Sequence, residues 1–181
     1  MTTTGTTAAH TIESDRLQLR ELSAAEAAQV IDGTPPGGQC WAATYPLEGT
    51  LVAAGALVRA AEAGRYRTGY GMYQIIDRES GLVVGDIGFH GAPDDDGIAE
   101  IGYGIVPEFR GRGLVSEALR ALAAWTFTRP ETVELIAGTD PEHTPSQRVL
   151  TSAGFSFAGM RDEERLYRMS RPAPTEDRAA V

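Results

Sequence analysis

The chain contains no lysine: all sixteen basic residues are arginine, set against twenty-five acidic ones for a net charge of −9. A P-loop needs a lysine on the β- and γ-phosphates, and Schiff-base catalysis needs a lysine amine, so both chemistries are excluded. The acidic balance makes non-specific nucleic-acid binding a poor expectation, and no nucleic-acid partner is expected. It is compatible with a cationic or amine-bearing partner, although a negative surface is first of all a route to solubility. Cysteine is nearly absent too. Cys40 alone can form neither a disulfide within the chain nor a thiolate metal cluster. The aspartates and histidines show no metal-ligand spacing, so no metal is expected. No apolar run approaches about 18 residues, and MTTTGTTAAH has no basic region followed by an apolar segment. Neither a membrane span nor a secretory signal is supported, and the expected location is the cytoplasm.

What is present is ordinary for a globular domain: 181 residues, 42% hydrophobic and 23% charged. Residues 1–11 and 172–181 are polar and aperiodic and are expected to be disordered tails, leaving one domain over 12–171. RLQLREL (16–22) alternates like a strand, and SAAEAAQVI (23–31) has the capping-box spacing of Ser23 and Glu26. PPGG (35–38) breaks the chain before an Ala-rich helix over 51–64. Strands over 70–77, 82–90 and 98–106, joined by RESG and GAPDDDG, predict an antiparallel meander. A helix from Leu114 then puts Leu114, Ala118, Leu122 and Trp125 on one face. VELIAG (133–138) is a fifth strand, and TPSQRVLTSAGF a helix with Thr144 as cap, Pro145 at its first position and Gly154 as stop. FSFAGM and RLYRMS close the domain as two short strands. The pattern is an α/β fold with a mixed sheet.

VPEFRGRGLVSEALRAL (106–122) carries the first chemical inference. Gly111 and Gly113 allow a tight turn and close approach of a ligand to the backbone. Ser116 and Glu117 suit the first turn of a helix, whose positive end attracts anions. Arg110 and Arg112 add fixed positive charge. Together they describe a phosphate cradle.

Four stretches in order, SDRLQLREL, AEIGYGIVPEFRGRGLVSEAL, DPEHTPSQRVLTSAGF and the closing GM…RLYRMS, make the chain resemble a GNAT-superfamily N-acetyltransferase of the ribosomal-protein alanine acetyltransferase branch. The resemblance implies a mostly antiparallel sheet splayed between its fourth and fifth strands, with helices on both faces. It implies acetyl-CoA as co-substrate, its pyrophosphate held by the pattern Arg/Gln-x-x-Gly-x-Gly/Ala, here Arg110, Gly113 and Val115. Gly111, Arg112, Leu114 and Ser116 complete that cradle by position, and Val115 replaces the usual small residue. Ile105 and Val106 are implied backbone partners of the pantetheine. His143 falls in the usual Asn slot of HTPSQRVL and Ser146 in the Ser slot. Leu150 stands where many acetyltransferases place a tyrosine acid, which leaves Ser146 to stabilise the departing thiolate. The relatives often form homodimers.

Acetyl transfer needs a neutral amine, and an aliphatic ammonium with pKa about 10 must first lose a proton. Glu100, on the fourth strand where several relatives carry a catalytic glutamate, is the first choice of base, unless it pairs with an arginine. His90 is the second choice. A backbone N–H near Val106 is the expected oxyanion donor. Asp94, Asp95 and Asp96 form an acidic turn able to attract a cationic acceptor or simply to be solvated. Trp41 and Tyr45, in the early helical region, line either the acceptor pocket or the core. The expectation is an enzyme that acetylates a primary amine acceptor, a protein N-terminus or a small molecule. The alternatives are a non-catalytic acyl-CoA-binding sensor and a transferase of a longer acyl group.

Overall fold

Leu17 and Leu19 are fully buried while Gln18 and Arg20 between them are not, and this alternation makes Leu17–Glu21 a sheet strand rather than a helix. The computed structural model describes residues 10–173. In chain order the elements are β1 (Thr11–Glu13), β2 (Leu17–Glu21), α1 (Ala24–Ile31), β3 (Cys40–Trp41), α2 (Glu48–Glu62), β4 (Met72–Asp77) and β5 (Leu82–Phe89). They continue with β6 (Ile98–Ile105), α3 (Leu114–Thr126), β7 (Glu134–Thr139), α4 (Thr144–Ala153), β8 (Ser156–Arg161) and β9 (Glu164–Ser170).

One open sheet runs β1-β2-β4-β5-β6-β7-β9-β8, with β3 alongside β5. Neighbours are antiparallel except β3–β5 and β6–β7. The β6–β7 seam is paired only from Ile98 to Glu100, against Glu134 to Ile136. Beyond Glu100 the strands separate, which is the expected splay. Alternation along β4 divides the core. Met72 packs with Leu22, Ala27, Val30, Ala54 and Leu57 under α1 and α2, whereas Tyr73 and Ile75 join Leu114, Ala118 and Leu122 of α3 on the other face.

The Ser23–Glu26 capping box is present. Three expectations change. Thr11 pairs with Arg20 in β1–β2, and His10 Nδ1 lies 3.0 Å from the Tyr73 hydroxyl, so the segment assigned as an N-terminal tail includes a strand end. Residues 1–9 and 174–181 of the assigned tails lie outside the described residues. Trp41 belongs to β3, not a helix, and meets Tyr45 edge-on at 5.3 Å. The cap of α4 is His143 rather than Thr144, because Thr144 already has helical placement. Among the described residues no helix is long and apolar enough to cross a membrane.

Candidate active site

Two cavities flank the free part of β6. The first, about 640 Å³, lies between β6, the loop after it, and the N-terminal turns of α3 and α4. The second, about 450 Å³, lies under α2 against β4, β5 and β6. Leu47, Tyr103 and Gly104 line both, so the cavities meet at the middle of β6.

The first cavity collects most of the residues expected to hold coenzyme: Ile105, Arg110, Gly111, Gly113, Leu114 and Val115 line it, with Ser116, His143 and Ser146. Gly111 and Gly113 have φ of 71° and 74°, a left-handed backbone that a side chain would strain. Gly113 caps α3, and the first intrahelical bond is from the Glu117 N–H to its carbonyl. The amides of Leu114, Val115 and Ser116 are therefore left over by the helix and available to an anion. The Val115 side chain is buried in the core, so its methyls are spent on packing. Glu117 would repel an anion from this turn, but it accepts from the Arg16 N–H and guanidinium and from the Ser14 hydroxyl. Burial opposes its ionisation, yet these bonds together hold its carboxyl below the usual range.

Two coenzyme assignments are corrected. The Val106 N–H already donates to the Val84 carbonyl at 2.9 Å, and Val106 is fully buried. Its N–H is therefore available neither to the pantetheine nor to the oxyanion. Antiparallel pairing turns the even-numbered β6 amides toward β5, which directs those of Tyr103 and Ile105 to the opened side. The Ile105 carbonyl accepts from Arg110 Nε at 3.3 Å. Arg112 leaves the cavity: its guanidinium stacks on Phe109 at 4.9 Å, and its carbonyl accepts from Arg16. Arg148, from α4, lines the cavity in its stead, a residue the loop motif could not indicate.

Ser146 is buried, and its hydroxyl lies 2.7 Å from that of Tyr103. Burial is the first cause of a Tyr103 phenol pushed up to about 12. Leu150, in the slot where many acetyltransferases carry a tyrosine, is core. A tyrosine nonetheless reaches the site from β6, which only the packing of α4 against that strand reveals.

Glu100 lines neither cavity. It accepts from Arg161 at 2.6 Å and stands 3.7 Å from His90 Nδ1. The paired reading of Glu100 is the one the geometry contains. His90 does line the second cavity, its ring lying over Gly102. Asp94 Oδ1 closes its own turn by accepting from the Asp96 and Ile98 amides, and the acidic turn is outside both cavities. Trp41 and Tyr45 line neither cavity, and Cys40 is exposed away from them.

Two buried carboxylates, one behind the second cavity and one in it, carry no motif. Glu21, buried, accepts from the Tyr66 hydroxyl and the Gly69 and Gly71 amides, pinning the segment that walls this cavity. Asp86 lines the cavity itself and is 6% exposed. Among the described residues no cluster of three or more His, Cys, Asp or Glu could hold a metal ion.

Residues 16–156 match the acetyltransferase (GNAT) domain family model. The chain belongs to the GNAT acetyltransferase family. This GNAT chain is similar to the uncharacterized N-acetyltransferase p20 of Bacillus licheniformis, 36% identical over 94 residues, 51% of this chain and 53% of that protein. It is similar to the uncharacterized N-acetyltransferase YjdG of Bacillus subtilis, 30% identical over 87 residues, 48% of this chain and 52% of that protein. The chain spans about half the length of the curated relatives it matches. Among solved structures, the ribosomal-protein-S5-alanine acetyltransferase of Vibrio fischeri superposes with a TM-score of 0.62 at 15% identity, covering 90% of this chain and 97% of that one. RimL, a ribosomal L7/L12 alpha-N-protein acetyltransferase solved with coenzyme A, gives 0.63 at 19% identity, covering 89% and 98%. At these identities the likeness is one of fold.

Proposed function

We propose that this protein transfers an acetyl group from acetyl-CoA to a primary amine, by direct attack while both are bound. The observation that carries the reading is the meeting of two cavities at Tyr103 and Gly104, on a strand edge that its neighbour has left. The GNAT family supports the donor, as does the coenzyme A bound to RimL. The acceptor in this reading is a small amine or a protein N-terminus.

The residues present fit the coenzyme. The Leu114, Val115 and Ser116 amides and Arg110 would hold its pyrophosphate, with Gly111 and Gly113 leaving room for it. Arg148 and His143 add polar groups on the α4 side. The Tyr103 and Ile105 amides would bond the pantetheine as an added strand does. Acetyl-CoA supplies an acyl carbon activated as a thioester. Tyr103 and Ser146 would donate to the departing sulfur, and the short bond between them holds the pair ready. Glu100 acts here as a positioning residue that fixes Arg161 and faces His90.

Thermal unfolding with acetyl-CoA, CoA and ATP tests the reading. At a hundredfold excess over Kd, binding to the native state adds about 2.7 kcal/mol, a shift of several degrees. Stabilisation by acetyl-CoA and CoA but not by ATP is expected, and no stabilisation by either would sink the reading.

A further inference from the structure

We propose that Asp86, on β5 at the floor of the second cavity, is the anchor for the acceptor's ammonium group and the acceptor of its proton. This rests on the acetyltransferase reading and names the substrate class of that same site: a primary amine carried on a short apolar stem.

The position is the first argument. Asp86 pairs across the sheet with Gly104, one of the residues at which the two cavities meet. The open space over Gly104 is bordered by Leu47, which lines both cavities, and the cross-strand pairing sets Asp86 beside the point where an amine and a thioester would come together. The second argument is its isolation. Among the described residues its hydrogen bond is from Thr50 Oγ1 to Oδ2, Oδ1 has no donor, and no cation is within ion-pairing distance. Thr50, in the first turn of α2, is itself fixed by accepting from the Leu47 N–H at 3.1 Å. Burying a carboxylate on one neutral donor is costly, and a bound cation would offset that cost.

The surroundings define the ligand. Val52, Ala53 and Ala56 of α2 and Phe89 of β5 make apolar walls, suited to an alkyl or aryl stem. The groups packed against Asp86 are Thr50 from α2, Gln74 from β4, Gly104 from β6 and Tyr45 from the loop after β3. Of these only Tyr45 titrates, and burial followed by the nearby Asp86 charge raises its phenol, so it stays neutral. Arg65, Arg67 and His90 lie in the same cavity wall. Burial likewise raises the Asp86 carboxyl to about 6, near the range a general base requires.

The step balances as follows. The bound ammonium gives one proton to Asp86, and the neutral nitrogen forms the C–N bond as the C–S bond breaks. The nitrogen's second proton leaves as the amide forms, and the thiolate sulfur takes a proton from Tyr103 and Ser146, which are refilled by that one. Asp86 returns its proton to solvent.

The test uses phenethylamine and its uncharged isostere 2-phenylethanol, titrated into the CoA-loaded protein, together with acetylation rates across pH. Wild type should bind the amine at least tenfold more tightly than the alcohol. Asp86→Asn should erase that preference and lower kcat/KM by about a hundredfold with a flat acid limb, while the CoA-dependent thermal shift is kept. An Asp86→Asn protein that keeps the preference and the rate would overturn the proposal, as would a CoA-loaded wild type that does not distinguish the two ligands. Should Asp86→Asn not fold, Thr50→Val leaves the carboxylate and removes its donor. The acid limb should then move to higher pH, and an unmoved limb overturns the proposal. Failure of the wild type to bind CoA takes down the acetyltransferase reading itself, which keeps the two failures distinguishable.

Discussion

The 2.7 Å contact between the Tyr103 and Ser146 hydroxyls joins a β-strand to a helix start 43 residues away. Because each hydroxyl orients the other, Tyr103→Phe and Ser146→Ala should each lower turnover by about a hundredfold with CoA affinity unchanged. The double variant should lose far less than the product of the two, since the groups act as one unit. Kinetics on the three variants would show this, and multiplicative losses would separate the pair. Asp86 makes a prediction about stability. Its folded carboxyl, raised to about 6 from 3.8, binds a proton that the unfolded chain releases. Folding is therefore favoured at low pH and weakens as pH rises through that interval, remaining weaker above it. In the absence of ligand, Asp86→Asn should be more stable than wild type by about 3 kcal/mol at pH 8 and by nothing near pH 3. Denaturant titrations at the two pH values check the sign.

Among the elements, the start of α3 concentrates the coenzyme chemistry. A carboxylate at Gly113 would stand in the anion position and repel phosphate, and the left-handed backbone there adds strain. Gly113→Glu should abolish the CoA thermal shift while leaving far-UV circular dichroism native. Glu117, three residues into the same helix, is an acid that this end of the helix tolerates because Arg16 neutralises it. That pairing could not be read from GRGLVSEAL alone, since Arg16 is brought in from β2's leading loop. The same limit explains Arg112, which the motif places in the cradle but which Phe109 draws away by stacking. It also explains Val106, whose N–H the neighbouring strand uses first. Helix α2 shows the converse case. Its Ala-rich sequence announced a helix, but nothing in it announced that Thr50 would face a buried aspartate.

For the whole molecule, the decisive feature is the seam between β6 and β7, closed over three residue pairs and open beyond. If the coenzyme takes the place of the missing strand, hydrogen exchange at the Tyr103 and Ile105 amides should slow by an order of magnitude or more on CoA addition. The Gly104 and Val106 amides, already bonded to β5, should change little. Equal protection of all four would mean that binding tightens the sheet generally instead of filling the seam.

Local rules by themselves determined much of this protein. Alternation, helix caps, glycine stops and one amphipathic face placed the longer strands and the four helices of the described residues, because each depends on residues a few positions apart. The glycines and the helix start of the cradle were legible for the same reason, whereas Ser146 was indicated only by the family resemblance. The two-residue β3 and the three-residue β1 were not, since strands that short exist only through the partners they pair with. The tertiary structure alone decided which candidate acids and bases meet the cavities. Glu100 pairs with Arg161 outside both cavities, whereas Tyr103 and Asp86 line them. Those placements arise from burial and from neighbours distant in sequence, which residue type and spacing do not encode.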